Sequence, residues 1–174
     1  TSLTMTGNAD PHAKAEADGI SVGGVDLGAS KAVADIRPYV DVYIGSGADV
    51  TAGAAVTLEA LHNTNGLNKA HADGESSGGG LITIKETKID AVVLATVDAY
   101  VGPGTAINAG GVFSIRAISS NHADADASAF NIGGVTSGSI FADALAGGQV
   151  RASLGSNAEV EAGSLLIESA SIDY

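Results

Sequence analysis

Val40-Asp-Val-Tyr-Ile-Gly45-Ser-Gly-Ala-Asp-Val50-Thr-Ala52-Gly53 decides how the chain is read, because it returns twice. It recurs as Val97-Asp-Ala-Tyr-Val-Gly102-Pro-Gly-Thr-Ala-Ile107-Asn-Ala109-Gly110, and again as Val150-Arg-Ala-Ser-Leu-Gly155-Ser-Asn-Ala-Glu-Val160-Glu-Ala162-Gly163. The glycines Gly45, Gly102 and Gly155 are 57 and 53 residues apart, and each stands seven residues before the alanine of its Ala-Gly pair. Self-similarity at fixed phase is the signature of repeat architecture and takes precedence over local propensity.

Working outward, a second block keeps step with the first: Gly23-Gly24-Val25, Gly79-Gly80-Leu81 and Gly133-Gly134-Val135. A third opens each unit: His12-Ala13-Lys-Ala15-Glu-Ala17, His71-Ala72-Asp and His122-Ala123-Asp-Ala125-Asp-Ala127. The units run approximately over residues 1–60, 61–117 and 118–174, within a single repetitive domain 1–174. The largest length difference lies between Leu61 and Ala70, which reads as a surface loop.

Inside each block the period is two. Val50 and Ala52 alternate with Asp49 and Thr51; Phe113, Ile115 and Ala117 alternate with Ser114 and Arg116. This is the half-buried strand pattern, punctuated by Gly-Ser-Gly, Gly-Pro-Gly and Gly-Gly turns. Ile89 to Ala99 is the one stretch tempting for helix, and its Val92, Val93, Thr96 and Val97 favour strand. After Ala162-Gly163 the third unit is one residue short, which turns Leu166 to the wrong face unless a bulge absorbs it. A closed sandwich or barrel and a solenoid both suit many short strands, and the repeat favours the solenoid. The expected fold is all-β: a repetitive β-solenoid of the parallel β-helix type, three units of about 55 residues, near-zero helix, with two or three coils per unit. Val50, Ile107 and Val160 should stack, as should Ala52, Ala109 and Ala162.

The spaced Gly-x-Gly, Val-x-Ala-Gly and alternating apolar positions of Val42 to Ala60 and Ala99 to Ala117 resemble the repeats of very large filamentous-haemagglutinin-like and autotransporter-like bacterial proteins. The alternating run from His122 is similar to linking strands of the same proteins. The resemblance covers almost the whole chain and implies a β-solenoid stalk in an exported, surface-attached or matrix protein at the bacterial cell surface. Repeats of that type serve as spacers, adhesive shafts and fibres alike, so the resemblance bears on architecture more than activity.

Composition agrees with a thin interior. Aromatic residues make up 4% and Trp is absent, so small and β-branched side chains must fill the core. Eight Lys and Arg against 20 Asp and Glu give a net charge of -12, which repels nucleic acid and anionic lipid. No apolar run approaches the roughly 18 residues of a membrane span. Zero Cys excludes a disulfide scaffold, a Cys nucleophile and Cys-based zinc sites.

Constellations that carry chemistry are sparse. His12, His71 and His122 could fall in one column and offer imidazole ligands, although each simply begins an alternating strand. Asp10, Asp18, Asp124 and Asp126 could offer oxygen to calcium, with Asp124 and Asp126 the metal candidates, yet no EF-hand loop or calcium nonapeptide is present. Asp41 and Asp98 share one repeat position that Arg151 occupies in the third unit, which reads as a charge ladder. The Gly-rich turns lack the helix and Lys-Ser/Thr pair of a phosphate cradle. Repetition spreads catalytic candidates evenly instead of concentrating one site, so no enzyme is expected and no catalytic residue is named. Tyr39, Tyr43 and Tyr100 form a candidate aromatic strip for glycans that Ser153 ends.

The structural anchors are therefore Gly45, Ala52, Gly53, Gly102, Ala109, Gly110, Gly155, Ala162 and Gly163. The expected role is a structural and interaction repeat acting as a spacer or polymerising filament, with no cofactor. Thr1 to Met5 and Ser169 to Tyr174 continue the alternation, so the expected partner is itself, head to tail, or further repeats. The alternative is a glycan- or calcium-binding module, reading host or matrix glycans or calcium through the loop Leu61 to Ser77 or the acidic strands.

Overall fold

The computed structural model covers residues 1–174, and every regular element in it is a strand. The strands are β1 (Leu3–Ala9), β2 (Ala13–Val22), β3 (Val25–Ile36), β4 (Tyr39–Ile44), β5 (Asp49–Ala52) and β6 (Val56–His62), then β7 (Ala70–Val101), β8 (Ala106–Asn121), β9 (Ala123–Leu154) and β10 (Glu159–Asp173). The stretch Ile89 to Ala99 lies within β7, as its β-branched content predicts.

Two sheets carry these strands, and every ladder is parallel. In one, β1, β6, β8 and β10 lie side by side, with β5 also on β8; in the other, β7 lies between β9 and the succession β2, β3, β4. The registers place repeat-equivalent residues opposite one another. Val50 pairs with Ile107 and Ile107 with Val160; Ala52, Ala109 and Ala162 form the next column. Each strand pairs directly with its counterpart 57 or about 53 residues away, with no shorter offset inside a unit. Two or three coils per unit is thus corrected: one unit contributes one strand to each ladder. The deficit after Ala162 is absorbed by a register shift between Ala162 and Ser164, so Leu165 stacks on Phe113, Ile167 on Ile115, and Leu166 faces outward with Ser114.

Two expected alignments need correction. Ala13 pairs with Ala70 and Ala70 with Ala123, so His71 sits opposite Lys14 and Asp124, not in a column with His12 and His122. Likewise Val25 pairs with Ile82 and Ile82 with Val135, leaving Leu81 at the exposed turn. Counting back 32 residues from Gly45, Gly102 and Gly155 reaches Ala13, Ala70 and Ala123. Register follows backbone phase, and the His-Ala-Asp likeness was out of phase.

The anchor glycines answer to close layer packing. A Cβ on Gly102 would lie 2.6 Å from the Ser46 backbone nitrogen, and one on Gly155 2.6 Å from that of Pro103. Two residues on, Gly47, Gly104 and Asn157 have φ of 68°, 67° and 57°, a left-handed turn that Gly and Asn tolerate.

The interior has two lobes. One is aliphatic, built from inward faces of β4, β5, β6, β8 and the end of β7, with Phe113, Leu58, Ile115, Val56 and Val97 fully buried. The other holds β2 against β3 and the corresponding halves of β7, and is made mostly of alanines: Ala32, Ala34, Ala70, Ala72 and Ala91, with Ile89 and Val93. The loop between β6 and β7 leaves the strand direction at Asn63, whose amide donates to the carbonyls of Asn68 and Ser120. Leu61 and His62 belong to β6 and Ala70 to Ser77 to β7, so the loop is shorter than the sequence suggests.

Candidate functional site

β4 alternates Val40, Val42 and Ile44 into the aliphatic lobe and Tyr39, Asp41 and Tyr43 outward. Parallel pairing lays the equivalent outward residues beside them: Thr96, Asp98 and Tyr100 from β7, then Gln149, Arg151 and Ser153 from β9. The result is a flat patch with an aromatic row next to an acidic row.

Tyr43 and Tyr100 stack with ring centroids 5.2 Å apart and planes within 8°. Such spacing follows from in-register parallel strands about 4.8 Å apart. The third position is Ser153, so the outer face of Tyr100 has no ring upon it. A cleft of about 350 Å³ lies there, lined by Tyr43, Tyr100, Pro103, Arg151 and Ser153 among others. The charge ladder is present beside it: an Arg151 N–H donates to Asp98 Oδ2 at 3.2 Å, and Asp98 follows Asp41 in register. Asp41 Oδ1 is buried without a partner. Burial, then the Asp98 charge, pushes the Asp41 carboxyl above its usual range; burial, then Asp41, pushes the Tyr100 hydroxyl up.

The metal candidates Asp124 and Asp126 come together with His71, their ligand atoms within 4.8 Å of one another. Asp10 and Asp18 take no part in that group. Lys69 Nζ lies 2.5 Å from Asp124 Oδ2, and this hydrogen bond, ahead of the opposing effect of burial, holds the Asp124 carboxyl below its usual range. His71 Nδ1 is 3.3 Å from the same oxygen without hydrogen-bonding geometry. Lys69 already pairs with Asp124, so a divalent ion held by this cluster would compete with Lys69 for that carboxylate.

Sequence reasoning missed two buried polar groups. His62 Nδ1 meets Ser119 Oγ at 3.0 Å, and that hydroxyl donates to Asn121 Oδ1. His62 is 1% exposed and Ser119 fully buried, so substrate cannot reach the pair; burial lowers the imidazole pKa and keeps the ring neutral. Within the alanine lobe, Lys85 Nζ lies 3.6 Å from Asp26 Oδ2, both side chains nearly inaccessible, and donates to the Ser77 carbonyl. The available signal was strict alternation: Thr83, Lys85 and Thr87 share the parity of Ile89 and Ala91, and so must point inward with them.

No protein-family model, curated protein or solved structure matches this chain.

Proposed function

We propose that the chain is a structural and interaction segment of an exported bacterial surface adhesin, fibre or matrix protein, a β-solenoid in which each sequence unit is one coil. The observation that carries this reading is the identity between ladder register and repeat spacing: residues 57 or about 53 apart in sequence lie opposite one another throughout. A unit arranged so buries little alone and much between neighbours, which favours long arrays over a closed globule. One coil adds about one strand spacing, roughly 4.8 Å, for some 55 residues. That is poor economy for a bare spacer and good economy for a stiff shaft with a broad display surface. Self-stacking, head to tail or onto further repeats, is the partnership this geometry suits, since each outer strand presents an unpaired edge.

The test is an in-register duplication. Inserting a second copy of Ala70–His122 after His122 adds one internal coil, and the expected product is folded, higher-melting than the parent and in the parent's own state of association. A closed sandwich or barrel would not accommodate 53 extra residues in this way, and an aggregated or unfolded product would sink the coil reading.

A second reading, a glycan-binding module, is favoured by the open face of Tyr100. Pyranose rings stack on aromatic faces, and Arg151 and Asp98 stand beside it to meet hydroxyls. Two carboxylates against one guanidinium favour a neutral sugar over an acidic one. Calorimetry with neutral oligosaccharides on the parent and on Tyr100→Ala checks it; equal heats from the two proteins would remove the site.

A further inference from the structure

The far end of the alanine lobe is inside out. Around the β2–β3 turn and its equivalents in β7 and β9, inward positions carry Asp26, Thr83, Lys85, Ser76 and Thr87, all buried. The outward positions carry hydrocarbon. Ile20 and Val22 on β2 are 83% and 86% exposed; Val25 and Leu27 on β3 are 65% and 70% exposed. Ile82 and Ile84 continue the β3 face in register, Phe130 and Ile132 continue the β2 face two strands away, and Leu81 projects from the turn at 75% exposure. This polarity is fixed by phase, because Ile89, Ala91 and Val93 must face the lobe interior and the ladders of β2 and β3 on β7 contain no bulge.

Water penalises the outer side of such an arrangement, where hydrocarbon is exposed, while the inner side is polar and holds three atoms without a hydrogen bond, Asp26 Oδ2, Thr83 Oγ1 and Asn131 Oδ1. Polar-in and apolar-out alternation is what lipid rewards in membrane-facing strands. A second copy of the chain would cover one outer face of the tip, whereas here both faces and the turn between them are apolar. Hydrocarbon covers all three at once.

We propose that this tip inserts into one leaflet of a zwitterionic lipid bilayer. Its depth is set by a belt of outward charges just behind it, Asp18, Glu75, Glu86, Lys31 and Lys88. Asp18 to Val22 spans about 13 Å of strand, under half of a roughly 30 Å hydrocarbon core, so the tip enters without crossing. Shallow seating also keeps the outer edges of β2, β3 and β9, bonded on one side only, within reach of headgroups and water. The net charge of -12 sets the preference for zwitterionic over anionic surfaces. This proposal is independent of the coil reading and of the Tyr100 cleft.

The experiment uses phosphatidylcholine vesicles and the full chain. Because the protein lacks Trp, Leu81→Trp provides a single reporter at the turn and Asn108→Trp a control on a strand remote from it. The expected results are flotation of the protein with vesicles, a blue-shifted emission from Leu81→Trp alone, and about tenfold or greater loss of partitioning for the double variant Leu27→Asp, Ile84→Asp. Absence of flotation together with unshifted Leu81→Trp emission overturns the proposal. So does undiminished partitioning of the Asp variant, or loss in it of self-association when neither protein binds vesicles. If the Asp variant fails to fold, the emission of the two Trp reporters still decides.

Discussion

The two lobes share β7 and the same 57-residue register, yet they are packed from different material. In the aliphatic lobe Phe113, Leu58 and Ile115 fill the space between sheets, each burial contributing about 1.5–3 kcal/mol. In the alanine lobe the Ile89 side chain fills the space over Gly74, where a Cβ would lie 2.0 Å from Ile89 Cδ1, and a buried methyl contributes only about 0.8 kcal/mol. Beyond the alanines the interior turns polar, around Lys85 and Asp26. The comparison teaches that backbone pairing can propagate through a region whose side chains add little. β7 runs unbroken through both lobes, from Ala70 to Val101, and the aliphatic end holds the alanine end in register.

The largest effect that sharpens this contrast comes from a charge placed in the aliphatic lobe. Ala109→Asp buries a carboxylate between Ala52 and Ala162 and should cost at least several kcal/mol, while Asn108→Asp, one residue away on the outer face, should cost little. Equal melting temperatures would break the face assignment. Next comes truncation of the largest side chain in each lobe: Phe113→Ala should cost about 3–5 kcal/mol and Ile89→Ala about 2–5 kcal/mol. Their reach should differ more than their size. In hydrogen exchange, Phe113→Ala should weaken protection across both lobes, and Ile89→Ala only from Ala70 to Ile89 and its ladder partners; identical maps would mean that neither lobe supports the other.

A smaller effect concerns pH at the junction, where His62 ends β6. Its folded pKa lies below the 6.5 of a free imidazole because burial disfavours the cation. The stability tied to the neutral ring is present above pH 6.5 and is lost as pH falls through the lowered folded value. Thermal melts across that window should show the loss in the parent chain and not in His62→Gln, which keeps polar groups but does not titrate.

Much of this arrangement was legible in the chain itself. Three Gly-anchored segments in phase were enough to place Ala52, Ala109 and Ala162 in one column, to seat Asp41, Asp98 and Arg151 as a ladder, and to demand a bulge near Gly163. The histidine column failed because residue likeness was followed where distance from the anchor glycine should have been. The inverted tip was hidden for another reason: Ile82 and Ile84 look like core by composition, and only the parity inherited from Ile89 turns them outward. The end of the tyrosine row at Ser153 was legible from the repeat, and the structure adds the cleft over Tyr100 with Arg151 beside it.

The one-strand rise per unit has a mechanical consequence. Hydrogen bonds in these sheets run along the direction in which strands accumulate, so a pull in that direction loads every bond between neighbouring strands lengthwise. With one coil per unit, as proposed, release would proceed by peeling one circuit of chain at a time, and Asn63, clamped to Asn68 and Ser120, would guard the corner where a circuit begins. Each released circuit of 53 to 57 residues lengthens the chain by about 190–200 Å, so a force trace on a long array would climb in steps of nearly constant size.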